Sequence, residues 1–79
     1  MHYVYILQSI DASDHYYVGA TRSLDSRLAE HNAGRVTHTS KYRPWRVKTY
    51  LAFSDKDQAL AFERYLKTAS GRAFAKKRL

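Results

Sequence analysis

The sequence has no cysteine, one proline and three glycines. Without cysteine there is no disulfide framework, no thiolate zinc centre and no cysteine nucleophile. The same absence fits a reducing compartment, and the cytoplasm is the expected setting. Three glycines are too few for a phosphate-cradling loop or a dinucleotide-binding turn. The four histidines, His2, His15, His31 and His38, lack zinc-ligand spacing, and no serine sits in anything like a nucleophile elbow. No apolar run approaches the roughly 18 residues of a transmembrane helix. The start, Met1-His2-Tyr3-Val4-Tyr5, lacks the basic and long apolar regions of a signal peptide. There is no internal repeat, low-complexity stretch or linker, so residues 1–79 read as one domain. A domain this small has one thin core and little room for a large enclosed cofactor.

What is abundant is positive charge. Lys and Arg number 14 against 7 Asp and Glu, a formal net charge of +7. The segment from His31 to Ser54 holds five basic residues and no acid, and that from Arg64 to Leu79 holds six and no acid. One explanation is a solvated surface that keeps a small domain in solution. The other is a polyanionic partner, and small basic domains commonly bind nucleic acid. No segment pairs a cationic face with a strong Trp/Phe/Leu face, so a membrane partner is not expected.

Residues 3–9 and 16–20 are β-branched and aromatic and predict two strands, joined as a hairpin through Asp11, Ser13 and Asp14. Ser23 is placed to cap a helix over 24–33, which Gly34 ends. Residues 35–44 are a polar, basic loop closed by Pro44. From Trp45 to Phe53 apolar and polar residues alternate, which predicts a half-exposed strand with Trp45, Val47, Thr49, Leu51 and Phe53 on one side. Ser54 with Asp57 resembles a capping box for a helix running to Ala69, and Ser70 is a candidate cap for a last short helix. The expected fold is α+β in the order β-β-α-β-α-α: a three-stranded, mostly antiparallel sheet flanked by helices.

Several residues are unusual for mere packing. On the first helix, Leu24 and Leu28 mark the buried stripe, and Arg27 and His31 lie beside it on one face, four residues apart. Arg27 can be a boundary residue laying its methylenes on the core, and His31 a helix cap. On the next helix, Ala59, Phe62, Leu66 and Ala69 form the apolar stripe with Glu63 at its edge and Lys67 one turn on. That pair is either an ordinary surface ion pair or a carboxylate free to hold a divalent metal. Tyrosines number seven, four of them in the first hairpin. Tyr3 and Tyr5 share a face, whereas Tyr16 and Tyr17 point opposite ways.

These pieces in this order resemble the GIY-YIG nuclease domain, in particular its small bacterial members. Tyr3-Val4-Tyr5 stands where the first signature lies and Tyr17-Val18-Gly19 where the second lies. Arg27, His31-Asn32-Ala33-Gly34, Pro44-Trp45 and Glu63 follow in register, so the likeness spans the whole chain. One departure is Tyr3, which replaces the first glycine of the signature. A polar Asn found late in some restriction enzymes of the family has no match here.

The resemblance implies a metal-dependent endonuclease that leaves a 5′-phosphate and a 3′-hydroxyl. Its catalytic set would be Tyr5, Tyr17, Arg27, His31 and Glu63, with Glu63 holding one Mg²⁺ or Mn²⁺ ion. Arg27 would stabilise phosphate charge. A tyrosine would activate water, Tyr5 being favoured and Tyr17 its partner, and His31 would relay a proton or bind phosphate. Because free tyrosine titrates near pH 10, nearby cations such as Arg27, together with the metal's field, are expected to lower the pKa of the base. Arg35, Lys41, Arg43 and Lys67 are candidate DNA contacts. With no second DNA-reading module, single-stranded or branched DNA read with little sequence preference is the expected substrate. Tyr42 and Trp45 are candidate platforms for unpaired bases, although Trp45 also suits the core. DNA repair and recombination are among the settings such an enzyme serves, and a partner protein is compatible with them. The alternative is a non-catalytic nucleic-acid-binding module of the same fold.

Overall fold

A computed structural model describes residues 1–79. Strand β1 (His2–Ser9) pairs antiparallel with β2 (Tyr16–Thr21) on one side and β3 (Trp45–Phe53) on the other, giving the sheet order β2-β1-β3. Helix α1 (Leu24–Asn32) follows β2; α2 (Lys56–Leu66) and α3 (Ala69–Arg78) follow β3. The fold is the expected α+β arrangement in the expected order. No helix is long and apolar enough to cross a membrane.

Alternation along the central strand builds two cores. Val4 and Ile6 point to one face and pack with Ala59 and Leu66 under α2 and α3. Tyr5 and Leu7 point to the other face and pack with Trp45, Leu24 and Leu28 under α1. All four β1 residues are buried, as expected for a central strand covered on both faces.

The stripe on β3 does not stay on one face. Ile6 opposes Thr49 and Leu7 opposes Val47, so Lys48 is an extra residue, a β-bulge. Val47 and Trp45 therefore join the α1 core, while Leu51 pairs with Val4 and Phe53 packs in the α2 core. Trp45 is 4% exposed and donates its indole N–H to the Thr39 carbonyl at 2.8 Å. It is thus a core residue and not a platform for bases. Tyr42 is half-buried and stacked on His15, with ring centroids 3.8 Å apart.

The helix ends also differ in detail. Asp55, not Ser54, caps α2, its carboxylate accepting from the Asp57 N–H at 3.0 Å. Helix α2 stops at Leu66, and Thr68, not Ser70, caps α3 by accepting from the Gly71 N–H at 3.1 Å. Gly71 lies against the Tyr65 carbonyl, where any side chain would collide. That close approach lets the chain turn between the two helices. Ser23 is at the α1 cap position, but its side chain makes no capping bond.

Candidate active site

The α1 end of the sheet gathers Tyr5, Tyr17, Arg27 and His31. Tyr5 is central because β1 is the middle strand, and Gly19 stands opposite it on β2. A methyl group on Gly19 would run into the Tyr5 ring and hydroxyl, so the missing side chain gives the phenol its place. The ring then crosses to α1, where its hydroxyl lies 3.0 Å from His31 Nε2.

His31 is the one fully buried residue of α1, whereas Leu24 and Leu28 are only half-buried. The helix end fixes it. Gly34 has φ +78° and donates its N–H to the His31 carbonyl, while the Arg35 N–H returns to Glu30. This is a Schellman closure, which needs a residue tolerant of the left-handed region. Next to it, Asn32 clamps α1 to β3 by accepting from the Trp45 N–H at 2.6 Å and donating to the Trp45 carbonyl at 3.0 Å.

The other imidazole nitrogen meets a residue that the sequence did not single out. Thr39 is fully buried, and its hydroxyl lies 2.7 Å from His31 Nδ1 and 3.3 Å from the Val36 carbonyl. Within the chain, Nε2 is the acceptor for the Tyr5 proton, since the neighbouring Arg27 has only N–H groups to offer. Nε2 is therefore the lone-pair nitrogen and Nδ1–H donates to Thr39, whose own proton points to Val36. Every buried side-chain polar atom then has a partner. Tyr17 completes the cluster, its ring centroid 5.0 Å from that of His31 and 6.4 Å from that of Tyr5.

Burial decides the titration of these groups. Desolvation raises the Tyr5 pKa above 10; Arg27, as donor and as charge, pulls it back without winning. The expected lowering of the tyrosine is thus not found in the free protein, because the phenol lies under α1 and away from water. Tyr5 in turn raises the Arg27 pKa. Burial, and then the charge on Arg27, lowers the His31 pKa below 6.5, so the imidazole is neutral at pH 7. Glu30 lies 3.4 Å from Arg27 and anchors the guanidinium at its outer edge.

Glu63 comes from α2 and makes no hydrogen bond to the Tyr5 group. It pairs with Lys67 at 3.3 Å, and its charge still reaches Tyr5 weakly, opposing ionisation. No group of three or more His, Cys, Asp or Glu side chains is close enough to share a metal ion. Arg35, Lys41 and Arg43 are exposed on the loop between α1 and β3, with Arg43 lying over Gly34. Lys67 is exposed at the end of α2 beside Glu63.

Comparison with known proteins places these features in a wider set. The family model described as the GIY-YIG catalytic domain matches residues 1–78. The chain is 36% identical over 72 residues to the UPF0213 protein BH0048 of Halalkalibacterium halodurans, covering 90% of this chain and 74% of that one. It is 39% identical over 70 residues to the UPF0213 protein SH2523 of Staphylococcus haemolyticus, covering 87% and 83%. The solution NMR structure of the UPF0213 protein BH0048 from Bacillus halodurans superposes with a TM-score of 0.56 at 33% identity, covering 95% of this chain and 79% of that one.

Proposed function

The chain belongs to the GIY-YIG catalytic-domain family, and from that premise we propose that it is a divalent-metal-dependent endonuclease acting on single-stranded or branched DNA with little sequence preference. The observation that carries this reading is the buried series Thr39–His31–Tyr5 beside Arg27. A tyrosine with a raised pKa is not a free phenolate at pH 7. It acts here as a relay: Tyr5 Oη takes a proton from the attacking water while its own proton passes to the lone pair on His31 Nε2. The low pKa of His31 keeps that lone pair available, and Thr39 holds the ring in the required tautomer.

Arg27 is half-exposed and permanently charged. Its planar fork suits the non-bridging oxygens as negative charge builds on them. Tyr17 flanks both Tyr5 and His31 and limits water access to them. Glu63 is the carboxylate for the metal. A single carboxylate suits Mg²⁺, which keeps several waters and needs few protein ligands. The ion pair with Lys67 is solvent-exposed on the lysine side and weak enough to yield. When bound, the metal supplies charge stabilisation on the scissile phosphate and the leaving oxygen.

The test is cleavage of single-stranded, duplex and branched DNA with Mg²⁺ or Mn²⁺ and with EDTA, with Glu63→Ala run alongside. The wild type should cut only with metal. Glu63→Ala should lose cutting by at least about a thousandfold while its DNA affinity stays within about twofold, since the Lys/Arg surface is intact. Salt-sensitive binding with no cutting on any substrate would overturn the nuclease and leave a binding module.

A further inference from the structure

Tyr50 stands directly opposite Tyr5 in the sheet register, on the same face and one strand away. It is 53% exposed, and its hydroxyl makes no hydrogen bond within the chain, unlike the buried Tyr5. Its ring is braced edge-on by Tyr3, with centroids 5.8 Å apart and planes at 71°. Bracing at the edge holds the side chain in place and leaves ring surface open. Tyr3 and Tyr50 form one side of an open cleft of about 380 Å³, and Leu24, Asp25 and Arg22 at the start of α1 form the other. The cleft lies two residues along β1 from Tyr5, about 7 Å, which is within reach of one nucleotide.

Each wall suits a part of a nucleotide. An exposed aromatic ring offers a face to any base. Leu24 adds an apolar side, the Asp25 carboxylate can accept from a base N–H, and Arg22 carries the positive charge for a backbone phosphate. A base inside a duplex has both faces covered and cannot enter. We infer that the Tyr3–Tyr50 cleft is a stacking subsite for an unpaired nucleobase flanking the scissile phosphate. The inference deepens the proposed function and rests on its assignment of Tyr5 to the reacting centre. It also replaces Tyr42 and Trp45, which are engaged within the fold, as the platform.

The test compares binding of an oligothymidylate with that of a fully abasic strand of the same length, by fluorescence anisotropy at fixed salt in EDTA, where nothing is cut. Wild type should prefer the thymidylate by about 5- to 150-fold, the range for stacking one base. Tyr50→Val keeps a β-branched residue in the strand and should reduce that ratio at least about fivefold, chiefly by weakening the thymidylate. Tyr50→Phe should retain the ratio. Duplex affinity should change by less than about twofold in either variant. A Tyr50→Val protein that keeps the ratio, or loses affinity equally for both strands, overturns the subsite. Absence of metal-dependent cutting with the stacking pattern intact would instead overturn the nuclease reading, so the two failures are distinct.

Discussion

The two faces of the sheet are built on the same strand and differ in kind. Toward α2 and α3, Val4 and Ile6 meet Ala59, Leu66 and half-buried Phe53 and Phe62, an apolar layer. Toward α1, Tyr5 and Leu7 meet Trp45, and among them lie His31 and Thr39, buried and polar. A layer whose members carry protons and lone pairs is an expensive way to fill a core, since each buried polar atom must find a partner. The apolar face can supply stability while the α1 face keeps a tyrosine, an imidazole and a guanidinium in one place. The division of labour runs through alternate residues of β1.

Two substitutions separate the faces most sharply. Tyr5→Phe should lower kcat about 10²- to 10⁴-fold, the range for a lost acid–base group, in a protein that still unfolds cooperatively. Leu66→Ala should destabilise the fold by about 2–5 kcal/mol, read by urea unfolding, with kcat of the folded fraction unchanged. If the rate loss in Tyr5→Phe merely followed its folded fraction, the two faces would not be distinct in function.

Thr39 sharpens the comparison at a smaller scale. Thr39→Val keeps the volume but leaves the His31 Nδ1–H without an acceptor, at a cost of about 1–3 kcal/mol. It should also release the imidazole tautomer, lowering kcat with little change in KM, and Thr39→Ser should restore both. Loss of stability alone would make Thr39 a packing residue.

The smallest effect is the response to pH. His31 titrates below 6.5 in the folded chain because of burial and Arg27. Below pH 6.5 the unfolded chain therefore takes up protons that the folded one refuses, so stability falls on acidification until the folded-state value is passed. The acid limb of kcat/KM, which reports the free protein, should have its midpoint below 6.5, where Nε2 becomes protonated and can no longer accept from Tyr5. An acid limb centred above 6.5 would contradict the assignment of His31 as acceptor.

Much of the fold was legible because it rests on local pattern. Trp45–Phe53 was read at its observed bounds, and the hairpin, Gly34 and the helix order followed from turn and capping chemistry. The bulge at Lys48 was not legible, because an extra residue exists only relative to a partner strand. The caps at Asp55 and Thr68 were missed by one or two residues, since neighbouring Ser, Thr and Asp side chains are all able to cap. In the site, Tyr5, Tyr17, Arg27 and His31 came together, guided by spacing and by family resemblance. Thr39 carried no signal, being one small hydroxyl residue in a polar loop, and only the fold brings it to His31. Arg27 pulls the Tyr5 pKa down, as its place in the sequence suggests, but in the free protein desolvation outweighs it, and the depth of burial is not visible in sequence.

The bulge at Lys48 has a consequence for how this chain can change over generations. Strand β3 feeds both cores, with Trp45 and Val47 ahead of the extra residue and Leu51 and Phe53 after it. A substitution anywhere along it is a local event. Gain of a second extra residue between Val47 and Thr49 inverts half of the strand, turning either the tryptophan that anchors the α1 layer or the phenylalanine of the other layer toward the wrong side, whereas loss of Lys48 restores a regular ladder and leaves both sets facing as they do. Lineages of this chain should therefore vary in the letters of β3 and tolerate loss of the bulge residue but not a further insertion beside it, and insertions should settle in the loop from Arg35 to Pro44.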